Sequence, residues 1–80
     1  MTEHSPVLCG DELIRTLEKS GAVVLRQKGS HVAMERKTVE RTYRFVVPRH
    51  TEIKRGTLRN IVRQAGLSMN EFRELLKDFC

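Results

Sequence analysis

Three histidines and ten arginines carry most of the chemistry available to this 80-residue chain, which has no tryptophan and two cysteines. His31 follows Gly29 and Ser30 at a point where one apolar run gives way to the next. A side chain there is held by strand geometry and remains open to solvent. Imidazole titrates near neutrality, so it can take up and return a proton at physiological pH. Arg26, Lys28 and Arg44 fall near it in strand phase, and cations of this kind can hold a phosphate and offset charge developing on phosphorus. Together they suit transesterification of an RNA phosphodiester, in which a base removes the 2′-OH proton. On spacing alone, a surface histidine at a strand start is the favoured reading of His31. His50, in Val47-Pro48-Arg49-His50, can serve as a phosphate contact, a second acid or a loop hydrogen-bond donor. His4 lies in the lead-in and has no assigned role.

Other chemistries are poorly served. The five glycines, at positions 10, 21, 29, 56 and 66, are not spaced as a P-loop, a GxGxxG turn or a KH-type clamp requires. The segment Tyr43-Arg44-Phe45-Val46-Val47 lacks the glycine of an RRM signature, and its aromatic residues phase inward, so no platform for stacking bases is expected. Glu35, Glu40 and Glu52 are scattered, and Cys9 and Cys80 have no metal-ligand or redox spacing. No cofactor and no metal are expected, and both cysteines are read as incidental thiols.

The elements that must position these residues follow from periodicity. Residues 1–10 read as a flexible lead-in and 11–80 as one domain. Asp11 and Glu12 suit a helix N-terminus, Leu13, Ile14 and Leu17 share a helical face, and Gly21 ends the helix. Strands are expected over 22–28, 31–36 and 41–47, the last stopped by Pro48, with a loose turn over 37–40. One sheet face must pack on helices. Val23, Leu25, Val32, Met34, Tyr43, Phe45 and Val47 are assigned to it. The open face then collects Arg26, Lys28, His31, Glu35, Thr42 and Arg44, with Val24, Ala33 and Val46 among them. Thr57 is expected to cap a helix with Leu58, Ile61, Val62 and Ala65 on one face and Arg59, Asn60 and Arg63 on the other. Ser68 and Glu71 form a capping box for a last helix whose stripe is Phe72, Leu75, Leu76 and Phe79. The expected class is α+β, a three-stranded antiparallel sheet packed on helices in the order α-β-β-β-α-α.

Charge supplies the partner class. The net charge is +5, but residues 26–63 hold eleven Lys and Arg against three Glu, a balance of +8, while both ends are net acidic. Such a middle points to a polyanion, nucleic acid before membrane. No apolar stretch approaches a membrane span and the N-terminus does not look like a signal peptide, so a soluble, cytoplasmic protein is expected.

Three blocks in order, Leu25-Arg26-Gln27-Lys28-Gly29-Ser30-His31, Val47-Pro48-Arg49-His50, and 56–67 (GTLRNIVRQAGL), make the chain resemble the HicA (YcfA-like) family of toxin mRNA interferases. The similarity spans about 11–79. The resemblance implies a double-stranded-RNA-binding-domain-like fold, an endoribonuclease acting on mRNA, and neutralisation by a HicB-type antitoxin. The family's catalytic histidine, in its Gly-Ser-His motif, maps onto His31. With it, Arg26, Lys28, Gly29, Ser30, Arg44, Arg49 and His50 make up the expected RNA-binding set. The segment 35–42 is longer and more charged than the turn often found in the family. A non-catalytic RNA-binding module of the same fold remains an alternative. So does a helix-turn-helix over 57–79, although Glu71, Glu74 and Asp78 make its second helix a poor occupant of a DNA groove, and no direct DNA binding is expected.

Overall fold

A computed structural model describes residues 8–77, and the side chain of Lys77 is not among the parts described. The order is α1 (Gly10–Lys19), β1 (Val23–Lys28), β2 (His31–Lys37), β3 (Thr42–Pro48), α2 (Arg55–Gln64) and α3 (Met69–Lys77), an α+β fold. The sheet is antiparallel with order β1-β2-β3, so β2 is central. Leu13, Leu17, Met34, Val47, Leu58, Val62 and Phe72 are almost completely buried between the sheet and the helices. Most described residues of the assigned helical stripes and of the inner faces of β2 and β3 therefore form the core or pack against it.

The helices begin and end where local chemistry allows, with one exception. In α1 the Glu12 carboxylate accepts the Cys9 N–H at 3.0 Å, and acids occupy the first turn where the helix dipole favours them. Ser68 and Glu71 close the expected box, with Ser68 N–H to Glu71 Oε1 at 2.8 Å and Glu71 N–H to Ser68 Oγ at 3.0 Å. Gly66, at φ 81°, ends α2, and a Cβ there would overlap the Tyr43 ring. The exception is the start of α2. Its cap is Lys54, without a side-chain hydrogen bond, and the expected cap Thr57 lies inside the helix. Buried Ile53 bridges to Leu8, its N–H donating to the Leu8 carbonyl at 2.8 Å. That long-range anchor sets where the helix can begin and overrides the local preference of threonine.

Two further expectations are corrected. The lead-in reading does not hold for 8–10, since Leu8 is buried beside Ile53 and Gly10 opens α1; residues 1–7, like Phe79 and Cys80, lie outside the described residues. In β1, Val23 pairs with Glu35, Val24 with Met34 and Arg26 with Ala33. The register thus carries an extra residue at Leu25, and a β-bulge of this kind reverses the side-chain phase on either side of it. Val23 consequently shares the outer face, and Val24 the helix side. Burial does not follow either, because the helices pack on β3 and not comparably on β1. Val23, Val24 and Leu25 are 52%, 44% and 50% exposed. Beyond the bulge, Arg26 and Lys28 return to the outer face as expected.

Candidate nucleic-acid interface

His31 opens the central strand, directly opposite Lys28 on β1 and Pro48 on β3. The turn that delivers it is Gly29-Ser30. Gly29 takes φ 62°, while among the described residues no non-glycine has positive φ. This is the pattern of a tight two-residue hairpin with glycine at its first central position. The turn is tied down twice: Arg49 N–H donates to the Ser30 carbonyl at 2.7 Å, and Gln27 Nε2 to the Gly29 carbonyl at 2.9 Å. His31 is exposed, and its imidazole makes no hydrogen bond or ion pair with other described residues. An exposed imidazole at a strand start, beside an exposed lysine, is open to a group bound from outside.

Arg49 and His50 sit at the same end of the molecule, for a different reason from the one expected. The Arg49 guanidinium grips Asp11, Nε to Oδ1 at 2.7 Å and Nη2 to Oδ2 at 3.2 Å, and reaches Gln27 Oε1 with Nη1 at 3.2 Å. This fork joins α1, β1 and the segment after β3. The hydrogen bond from Arg49 holds the Asp11 carboxyl below its ordinary pKa, and the same pairing raises that of Arg49. Each of the three nitrogens thus has a partner within the chain, and Arg49 acts as a surface brace beside the turn. The His50 carbonyl accepts the Gly10 N–H at 2.8 Å. A Cβ at Gly10 would overlap the Pro48 carbonyl and the Arg49 backbone, so only glycine lets α1 approach so closely.

Arg44 shares the outer face with Arg26, Lys28 and His31 but stands apart from the imidazole. It pairs with Glu35, four residues along β2 from His31, about 13 Å at the usual strand rise. Its Nε donates to Glu35 Oε2 at 2.9 Å, and Lys37 Nζ lies 3.9 Å from Oε1. Glu35, the one buried acid among the described residues, therefore uses part of the positive charge that phasing alone had assigned to phosphate. Leu25, Arg26, Ala33, Glu35, Arg44 and Val46 line a shallow groove here. The structure thus brings Lys28, Gly29, Ser30, His31, Arg49 and His50 to one end of the sheet and sets Arg26 and Arg44 on a second, apolar-and-basic patch along it. The Asp11–Arg49–Gln27 brace had no local sequence signal, because its partners are 38 and 22 positions apart.

Among the described residues, no three His, Cys, Asp or Glu side chains come together as a metal site would need, and no helix is long and apolar enough to cross a membrane. A family model described as HicA toxin of bacterial toxin-antitoxin matches residues 10–67. The match takes in the hairpin, the brace and α2 and ends at the turn before α3. No curated protein and no solved structure matches the chain.

Proposed function

The chain belongs to the HicA toxin family of bacterial toxin-antitoxin systems. On that premise we propose that it is a metal-independent endoribonuclease, cleaving mRNA in the cytoplasm with His31 as its catalytic residue. The observation that carries this reading is the exposed, unpaired imidazole at the head of the central strand, opposite Lys28 and above a turn braced by Arg49. As general base, His31 takes the 2′-OH proton; the 2′ oxygen bonds to phosphorus and the bond to the 5′ oxygen breaks, leaving a 2′,3′-cyclic phosphate and a 5′-hydroxyl end. The imidazolium can return its proton to the leaving oxygen. Lys28 is suited to hold a phosphate oxygen during the exchange, and the Gly29-Ser30 turn, with no side chain at Gly29, to approach the backbone closely. Arg49 keeps that turn in position, and His50 borders it.

Replacing His31 by Ala tests the reading. Loss of a positioned acid–base group is expected to slow cleavage by about 10²- to 10⁴-fold, followed with purified protein and a transcript in buffer containing a chelator. Growth arrest on induction should vanish with it, and circular dichroism should be unchanged because His31 is exposed. Wild-type cleavage by the variant would reject His31 as the catalytic residue, whereas a wild-type protein that binds the transcript and leaves it whole would be an RNA-binding module.

A HicB-type antitoxin is the proposed protein partner, seated on the outer sheet face. That face offers what a protein interface uses, exposed Val23, Leu25 and Val46 beside Arg26 and Arg44, so the matching surface of the partner is apolar with acidic groups at its rim.

A further inference from the structure

The middle of the chain is basic beyond what the hairpin end uses, and much of the excess lies on one helix. Arg55, Arg59 and Arg63 recur every four residues along α2, preceded by Lys54 at its cap, and the helix contains no acid. All four are exposed, and none of their side chains has a hydrogen bond or ion pair with another described residue. The other helices behave differently: α1 and α3 both carry acids in their first turns. In α2 like charges face one another at i,i+4, and two cations occupy the turn where the helix dipole is already positive, both of which disfavour the isolated protein. A surface that is unfavourable alone becomes favourable against a polyanion.

We propose that the arginine face of α2 is a second track for the phosphodiester backbone of the RNA substrate, separate from the residues around His31. This rests on the reading of the chain as an RNA-directed toxin and extends it to where the rest of the strand runs. Pro48 pairs with His31, and six residues, bending at 51–52 and bridged at Ile53 to Leu8, connect it to Arg55, so α2 is entered from the hairpin end. The helix rises about 12 Å from Arg55 to Arg63, and its far end lies by Ser20 and Arg36, because Arg36 bonds both Ser20 and Ala65. A strand leaving His31 can thus follow the arginines away from the site. The occupant is nucleic acid because this face lacks the anchors of a protein interface. Among the described residues, the exposed large apolar ones lie in β1, in β3 and at Val39, none on α2. Arg59 and Arg63 rim only a shallow groove floored by Val62, Leu67 and Met69, none of them exposed.

The test uses full-length protein carrying His31→Ala, so that RNA stays intact, with and without Arg55→Gln, Arg59→Gln and Arg63→Gln together. Glutamine keeps helix propensity at exposed positions. A control triple, Arg15→Gln, Arg41→Gln and Arg73→Gln, removes the same charge elsewhere. The probe is a labelled, unstructured single-stranded RNA titrated over a range of salt. The α2 triple should bind at least about tenfold more weakly, with a salt slope shallower by about 2 if each lost phosphate contact contributes about 0.7. The control triple should change both much less. Equal losses in the two triples, or none in the α2 triple, would overturn the proposal while wild-type cleavage of RNA left the underlying reading intact. Wild-type protein that neither binds nor cuts RNA would overturn both. Tighter binding to duplex DNA than to RNA, or an α2 triple that keeps RNA but loses an antitoxin, would reassign the face and overturn the proposal.

Discussion

Arg49 illustrates how a basic side chain close to the site can be engaged within the fold. Its three guanidinium nitrogens are taken by Asp11 and Gln27, and its N–H holds the Ser30 carbonyl on which the His31 turn hangs. The brace is pH dependent through Asp11. Because Arg49 lowers its pKa in the folded state, the unfolded chain binds that proton first as pH falls. The contribution is complete above the ordinary carboxyl range near ~3.9 and is lost as pH drops through the lowered folded value. Glu12, lowered by the Cys9 N–H, acts in the same direction. Asp11→Asn is therefore expected to reduce stability at pH 6 and to flatten its decline between about pH 5 and pH 3. Urea unfolding at a series of pH values measures this; an unchanged pH profile would mean that the brace does not couple to folding.

Arg36 does for the elements what Arg49 does for the turn. From the helix side of β2 its Nε reaches the Ser20 carbonyl at 3.3 Å and its Nη1 the Ala65 carbonyl at 3.0 Å. These are the C-caps of α1 and α2, where orphan carbonyls and the negative end of the dipole favour a cation. The same guanidinium lies 5.9 Å from the centroid of the Tyr43 ring, which itself rests against Gly66. A single half-buried arginine thus aligns two helices with the central strand. Arg36→Gln should lower stability by about 1.5 to 3 kcal/mol, the usual range for hydrogen bonds to a charged group, read from the denaturant midpoint. A shift no larger than that of an exposed substitution would show that the caps are satisfied without it. α3 lies beyond the family match, yet its Phe72 is wholly buried and its Leu75 carbonyl accepts Lys19 Nζ at 3.1 Å. It is therefore an integral layer of this molecule.

Across the whole molecule, positive charge is divided between surfaces of different character: Lys28 beside His31, Arg26 and Arg44 among apolar side chains, and the arginines of α2. The mixed sheet face predicts how an antitoxin arrives. Charges at the rim of an interface act mainly on the association rate, and apolar contacts mainly on dissociation. With a HicB-type partner, Arg26→Gln with Arg44→Gln should slow association about tenfold at low salt and remove much of its salt dependence, while Val46→Asp should speed dissociation. Stopped-flow association and surface-based dissociation measurements separate the two. If the sheet variants leave both rates unchanged, the partner binds elsewhere.

Local chemistry in the sequence determined the element order, the helical stripes, the Ser68–Glu71 box, the inner faces of β2 and β3, and the position of Gly29-Ser30-His31 at a strand junction. Those features depend on neighbours within a few residues, and periodicity reports them directly. Tertiary structure alone decided the start of α2, the phase of β1 and the fate of two arginines. Ile53 answers to Leu8 far away in sequence, the bulge at Leu25 inserts a residue that no pattern marks, and β1 lies outside the helical cover. Arg44 was assigned to phosphate and meets Glu35, while Arg49 meets Asp11. The number of cations can be counted along a chain, but which of them remain free depends on which acids the fold brings within reach.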